Sequence, residues 1–478
     1  HALAGAWLAK QSEDAATVAK HLELGGRGSE AAIHWERAAR RALSINALSD
    51  AVRMAETALL HADDQPTAFA RALLLDEGYS RLDPRAADRE TAVQALAGAA
   101  YDEATTVRAE GARVRFDHAR GVGYDVQARL ASVRAGAKRL GLVDEEMRCT
   151  AILAMSAAFE GHLQAAEREA EYLFPMSRDP KLAAAAVDAW QCLAVVRQTK
   201  GELVSALEAR RAAAMAASQA GLKERESMLN VNLGFALTTI GARSEAREAI
   251  LSGLAIAEAI GSVGAIRHGR MNLLGWTATF GPDASLDAEL AEIRAEADQA
   301  TGGVWVAPDR ATLGVLFYRG LEWLSMDGPA AATRARDLLR AAAGAYRSTG
   351  NRDLLPVALG NWSAAERRVG SLEQARTLAE EAASLLENGA PSLLNESAIF
   401  LALHDSLADA DIKRSADAVR RGMAPLLRRL RGLAGSSYAV TFLTALSDNE
   451  KLLRLAHQLG LVPAEVPAAL AARSPRPA

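Results

Sequence analysis

Four glycines, Gly161, Gly201, Gly241 and Gly281, stand forty residues apart, each between two long runs of helix-forming residues. Glycine reaches the left-handed backbone that ends a helix at little cost, so glycine at a fixed spacing marks a recurring helix end. The spacing continues less strictly through Gly328 and Gly370 downstream and through Gly121 or Gly123 upstream. A second ladder, Gly141, Gly221, Gly261, Gly350 and Gly389, closes the second helix of each pair. Two interleaved ladders predict helix, turn, helix, turn: an all-α solenoid of helical hairpins with a period of about forty residues.

Composition agrees and excludes the alternatives. Alanine makes up 106 of 478 residues while aromatic residues are 5%, which favours helix and disfavours sheet. A doubly wound enzyme would show a series of Val/Ile-rich runs between its helices, and none is present. Pro84, Pro180, Pro282, Pro329 and Pro391 fall at or just after expected turns, whereas Pro356 and Pro425 are placed in first turns or at kinks. With weaker turns near Asn46, Asp83 and Asp409, about ten hairpins are expected between Gly26 and Gly432. The expected division is 1–26 as N-terminal helices joining an upstream domain, 27–435 as the repeat array, 436–470 as capping helices and 471–478 as a disordered tail. The first residue, His1, already lies in an apparent helix from Ala2 to Leu8, so the chain reads as a fragment or processed product.

Within the hairpins the residues resemble the tetratricopeptide pattern, a resemblance that implies a right-handed superhelix. In "NVNLGFALTTIGARSEAREAILSGLAIAEA", Leu233 and Gly234 are the large and small residues of the first helix, Ala246 is the small residue of the second helix at the crossing, and Gly253 follows seven residues later. The same offset from the turn gives Ala166, Ala206 and Ala375, with Ala213 and Ala382 seven residues on. An N-terminal unit carries Trp35 with Ala51 and Ala58. Helices approach to ~8–10 Å only where one surface is nearly flat, which these small residues provide.

The opening stretch resembles a second pattern. Ala15, Val18, Ala19, His21, Gly25, Gly26, Ala31, Trp35, Arg37, Ala38, Ala39, Ala42 and Leu43 fit a phrase of bacterial STAND-type signal-transduction ATPases, the group of MalT-like regulators and serine/threonine kinase/ATPase fusions. There it marks the passage from the nucleotide-binding module into a tetratricopeptide sensor. The resemblance implies a scaffold that senses an inducer or partner and restrains an upstream ATPase or kinase.

The chain itself carries no catalytic signature. It has no G-x-x-x-x-G-K-[ST] loop, kinase catalytic loop, nucleophile elbow or helical H-E-x-x-H motif. Gly121-Val-Gly123 lacks the third glycine of a dinucleotide fingerprint and reads as a turn. No two histidines stand within five residues of each other, so metal-ligand spacing is missing, and neither a metal nor a cofactor is expected. Cys149 and Cys192 read as small buried residues. Net charge is −4, which gives no reason to expect nucleic acid or an anionic membrane. Only eight of the 55 basic residues are lysine, a bias typical of high-GC bacterial genomes. With two cysteines, no signal segment and no membrane span, the expected setting is cytoplasmic.

Several features have ordinary structural readings. Glu145 with Glu146 and Glu380 with Glu381 are expected on solvated faces. Arg420, Arg421, Arg428, Arg429 and Arg431 suit an amphipathic helix covering the last hairpin. Trp190 and Trp362 are expected in the core, while Trp276 and Trp323 stay open between packing and ligand stacking. The candidate site is a polar series nine residues before three turn glycines: Asn232, Asn272 and Asn361. This offset points to the concave face of the first helices, where amides can pair with a peptide backbone or polar ligand. Neighbouring positions are Asp188, Gln191, Gln198, Phe235, Thr238, His268 and Arg367. A protein or peptide partner, a small inducer, or both, are expected there, although asparagine at this offset is also common in such repeats.

Overall fold

The computed structural model describes residues 1–11, 13–82, 86–120, 125–299, 310–349, 354–388, 394, 396–462 and 466, and the backbone alone at 310–312. Among the described residues all regular structure is helical and no strand occurs. The all-α solenoid is therefore confirmed. The helices are α1 (Ala2–Lys10), α2 (Ala15–Leu24), α3 (Gly28–Ser44), α4 (Leu48–Leu59), α5 (Gln65–Leu82), α6 (Arg89–Ala99), α7 (Glu103–Arg120), α8 (Val126–Leu140), α9 (Val143–Phe159), α10 (Leu163–Met176), α11 (Ala184–Thr199) and α12 (Leu203–Gln219). They continue as α13 (Lys223–Thr238), α14 (Arg243–Ala259), α15 (Val263–Phe280), α16 (Asp287–Gln299), α17 (Arg310–Ser325), α18 (Pro329–Ser348), α19 (Leu355–Arg368), α20 (Leu372–Glu387), α21 (Ser397–Leu407), α22 (Ile412–Gly432), α23 (Tyr438–Thr444) and α24 (Ser447–Gln458). Between Gly28 and Gly432 the described helices α3–α22 follow one another as ten successive pairs.

The ladders end helices for the expected physical reason. Gly141, Gly161, Gly201, Gly221, Gly241, Gly261, Gly281, Gly328 and Gly370 all have positive φ. After Gly161 the His162 N–H donates to the Ala157 carbonyl at 2.8 Å, and Glu202, Ala242 and Ser371 repeat this five-residue reach. That is the Schellman closure, which satisfies carbonyls left over in the last turn. Asn46 does the same work at φ 60. Pro356 sits in the first turn of α19, while α22 runs unbroken through Pro425. Gly121, Gly123, Gly350, Gly389, Pro84, Pro391, Asp83 and the 471–478 tail lie outside the described residues.

The chain forms two compact units: His1–Val196 with Ala212–Glu226 and Ile256–Gly264, and Arg197–Arg211 with Ser227–Ala255 and Ala265–Ala478. In unit 1, each helix from α1 to α10 packs on the next. Trp35, Ala51 and Ala58 are buried, and the Trp35 indole N–H donates to Glu23 at 3.2 Å. Ala166 is fully buried, and its carbonyl accepts from the Cys192 thiol at 3.5 Å. Glu145 and Glu146 correct the sequence reading: both are buried rather than solvated. Glu145 is ion-paired with Arg115 of α7, and Glu146 accepts from the Tyr172 hydroxyl of α10 at 2.7 Å. Arg115 comes from the neighbouring hairpin and Tyr172 from the second helix of the same hairpin, so local sequence could not show that burial was compensated.

In unit 2, successive helices from α16 to α22 pack on one another, and α24 packs on α21 and α22. Ala246 and Ala375 are fully buried. A Cβ at Gly253 would lie 2.6 Å from the Ser227 carbonyl oxygen, and a Cβ at Gly234 would lie 2.9 Å from the Ala246 carbonyl oxygen. Ser227 and Ser363 donate to the Gly253 and Ala375 carbonyls at 2.7 and 2.6 Å. Helices this close need glycine, alanine or a small hydroxyl at the crossing. The arginines of α22 mostly pair with acids: Arg420 with Asp417, Arg421 with Glu387, and Arg428 and Arg429 with Glu396. That helix is the second member of the last pair, and the cover is α24.

The spacing stretches between Gly281 and Gly328, where a buried polar network replaces part of the apolar core. The Glu322 carboxylate accepts from Arg294 at 2.7 Å, Arg319 at 2.8 Å and the Thr277 hydroxyl at 2.8 Å. Arg319 also pairs with Asp298 at 2.7 Å and stacks over Trp323, whose N–H donates to Asp298 at 2.8 Å. Burial tends to raise the Asp298 pKa, but the Arg319 and Trp323 bonds outweigh it and hold the carboxyl below its ordinary range. Removing one member would strand buried charge. Glu322→Ala is expected to cost about 3–5 kcal/mol in urea unfolding. Gly344 of α18 is exposed with open space around its Cβ position, so Gly344→Ala is expected to add about 0.5–1 kcal/mol in the same assay.

Candidate binding face of the first helices

Nine residues before a turn glycine proves to be mainly a packing position. Asn272 and Asn361 are buried, each donating its amide to the carbonyl one turn back: Asn272 to His268 at 2.9 Å and Asn361 to Val357 at 2.8 Å. Buried Arg319 takes the same offset before Gly328, and buried Cys192 takes it before Gly201. An asparagine here satisfies its own amide and leaves little of it for a ligand.

Asn232 is the exception. It is half-buried, and its carbonyl oxygen lies 3.1 Å from His268 Nε2 on the next first helix. The structure thus joins Asn232, His268 and Asn272 into one polar row crossing from α13 to α15 within unit 2. Half-buried Phe235 lies on α13 three residues after Asn232, whereas Thr238 is buried with its hydroxyl turned back to the Gly234 carbonyl at 2.9 Å. Farther along unit 2, Gln198 accepts from Arg210, and Arg367 is 3.7 Å from Asp409.

Unit 1 holds a group of its own. Arg225 of α13 pairs with Asp188 and donates to Gln191 at 3.0 Å, both on α11. Asp188 and Gln191 are thereby tied to a cation on a neighbouring helix, a partner that the offset argument had no means to find.

The tryptophans divide differently from the sequence reading. Trp276 is buried, donates to the Arg243 carbonyl at 2.9 Å and lies under the Arg243 guanidinium, which settles it as a packing residue. Trp190 and Trp362 are only half-buried: Trp190 meets Phe174 edge-on at 5.0 Å, and Trp362 donates to Glu366 at 2.8 Å.

Two open clefts in unit 2 lie away from the polar row. One, of about 580 Å³, is bounded by Lys200, Glu202, Ser205, Arg428, Arg431 and Ser436. The other, of about 560 Å³, is bounded by Arg243, Arg247, Glu248, Trp276 and Asp283. Glu202 lines the first and Glu248 and Asp283 the second, so neither presents a purely cationic lining. Among the described residues no group of three or more His, Cys, Asp or Glu is placed to hold a metal ion, and no helix is long and apolar enough to cross a membrane.

Fold and surface together define an all-α helical-repeat protein. No protein-family model matches the chain, and no curated protein matches it. Among solved structures, the apo form of RapI aligns with 75% of this chain and 99% of its own length, at 11% identity and a TM-score of 0.44. A circular tandem repeat protein with novel repeat topology and enhanced subunit contact surfaces covers 93% of both chains at 13% identity and a TM-score of 0.13. Likenesses this loose carry no functional argument.

The cysteines give a direct check on the packing. Both are buried, and burial pushes each thiol up to about 12, with Glu145 adding to the effect at Cys149 and Glu167 and Glu169 at Cys192. The thiolate is the reactive form. At pH 8 the folded protein is therefore expected to leave both thiols unlabelled by an aromatic disulfide reagent, with two equivalents reacting once guanidinium is added. Rapid labelling of the native chain would show that these crossings are looser than described.

Proposed function

We propose that the chain is a non-catalytic interaction scaffold that holds a partner on the first-helix face of unit 2. The observation that carries this reading is the Asn232–His268–Asn272 row, which runs from one repeat to the next beside Phe235. Asn232 and His268 offer an amide and an imidazole on two successive first helices, which suits an extended peptide backbone with an apolar side chain on the phenylalanine. Repeats contact mainly their neighbours, so a partner gripping two of them biases both at once. The expectation of a concave, ligand-binding face belongs to this proposal.

A finer reading makes the chain the sensor arm of a bacterial signalling regulator, responding to an inducer or partner and controlling an upstream ATPase or kinase. It is supported by the junction-like residues from Ala15 to Leu43 alone. A plain assembly scaffold without a small ligand is the second reading, favoured by the burial of Asn272 and Asn361, which removes two of the three asparagines from the surface.

Asn232→Ala combined with His268→Ala removes the half-buried part of the row and leaves the small residues of the helix crossings in place. Peptide and metabolite pools are expected to include one that raises the melting temperature of the natural chain by a few degrees, since a saturating ligand at ~100 Kd adds ~2.7 kcal/mol. The double variant should fold equally well and lose that rise. An identical rise in the variant would move the site elsewhere, and no rise in the natural chain would favour the plain scaffold.

A further inference from the structure

The C-terminal helices of unit 2 return to turns more than two hundred residues earlier. The Tyr438 hydroxyl, at the start of α23, lies 2.8 Å from both Arg211 of α12 and Glu245 of α14, which are themselves paired at 2.7 Å. One turn on, the Thr441 hydroxyl donates to the Ile240 carbonyl at 3.2 Å. Gly241 comes so close to α23 that a Cβ there would lie 2.5 Å from the Thr441 carbonyl oxygen and 3.3 Å from Ala445 Cβ. A Cβ at Gly432, the last residue of α22, would overlap the Gly201 carbonyl oxygen.

Two adjacent turns of the ladder are thus engaged by one C-terminal body. That body has its own anchorage: Ser397 of α21 donates to Asn449 of α24 at 2.6 Å, and Asn449 donates to the Phe442 carbonyl at 2.8 Å. The bonds at its rim are polar, while Phe442 and Leu443 of α23 lie in the apolar core of unit 2 that also takes in Ile240 and Ala242. Arg211 and Glu245 are exposed, and the contacts at Thr441 and Gly241 are backbone approaches. A helix of seven residues can nonetheless open locally while the rest of its unit stays folded.

We propose that α23 is a latch, closed in this structure on the Gly241 turn beside the contact of the α22 end with the Gly201 turn, whose release frees α12 and α14 to change their separation in unit 2. Gly241 closes the turn after α13, the helix that carries Asn232 and Phe235, so the latch sits at the base of the proposed binding helix. Coupling between the two rests on the partner reading above. The latch does not, and its test needs no partner, so either can fail alone.

The ladder supplies its own control. Gly241 and Gly281 both have positive φ, at 79° and 94°, but a Cβ at Gly281 meets nothing within 4 Å. Alanine at either position pays for a left-handed backbone, and only Gly241→Ala also forces α23 away. By hydrogen exchange with mass spectrometry, Gly241→Ala should speed exchange across 438–446 at least tenfold relative to the natural chain. Gly281→Ala should leave that segment within twofold. Equal effects from the two variants, or unchanged exchange in Gly241→Ala, would overturn the latch. Should Gly241→Ala fail to fold, Tyr438→Phe with Thr441→Val takes its place: faster exchange at 438–446 with α19 and α20 unchanged is expected, and no change at 438–446 overturns the proposal.

Discussion

Close approach of paired helices is the constraint on which this structure depends. An alanine or glycine at the crossing lets the backbones meet, and a small donor on the facing helix often fixes the contact, as with Cys192 on Ala166, Ser227 on Gly253 and Ser363 on Ala375. A bulkier side chain at any of these sites would push the helices apart by the depth of a side chain. In a stack of repeats that displacement reaches the neighbours. The glycine turns matter for the same reason, since they reverse the chain within a few residues and bring the small faces together.

Where the crossing is not small and apolar, the chain substitutes buried charge. Arg115 with Glu145 in unit 1 and the Arg294, Arg319, Asp298 and Glu322 network in unit 2 both satisfy their members completely enough to remain inside. Such networks stabilise little over apolar packing but penalise any misplaced partner, which favours a single arrangement of the hairpins they join.

The ladder of positive-φ glycines made the hairpins legible in sequence, because helix ends are encoded locally. The alanine crossings were legible for the same reason. The site was less so. Whether an asparagine nine residues before a turn faces outward depends on how far the helix is rotated by its packing, and only Asn232 of the three stays at the surface. Burial of Glu145 was hidden because Arg115 lies a hairpin away. Contacts of Tyr438 with Arg211 and Glu245 span some two hundred residues and leave no local trace at all.

The claim that small residues at the crossings specify this fold is open to one direct measurement. Ala166, Ala206, Ala246 and Ala375 would each be replaced by leucine, and unfolding free energies compared with alanine-to-leucine changes at the exposed helix positions Ala255, Ala291 and Ala330. The expected result is a loss of about 1–3 kcal/mol or more at every crossing, from overpacking, against changes within about 0.5 kcal/mol at the exposed sites. Crossing variants as stable as the exposed controls would contradict the account.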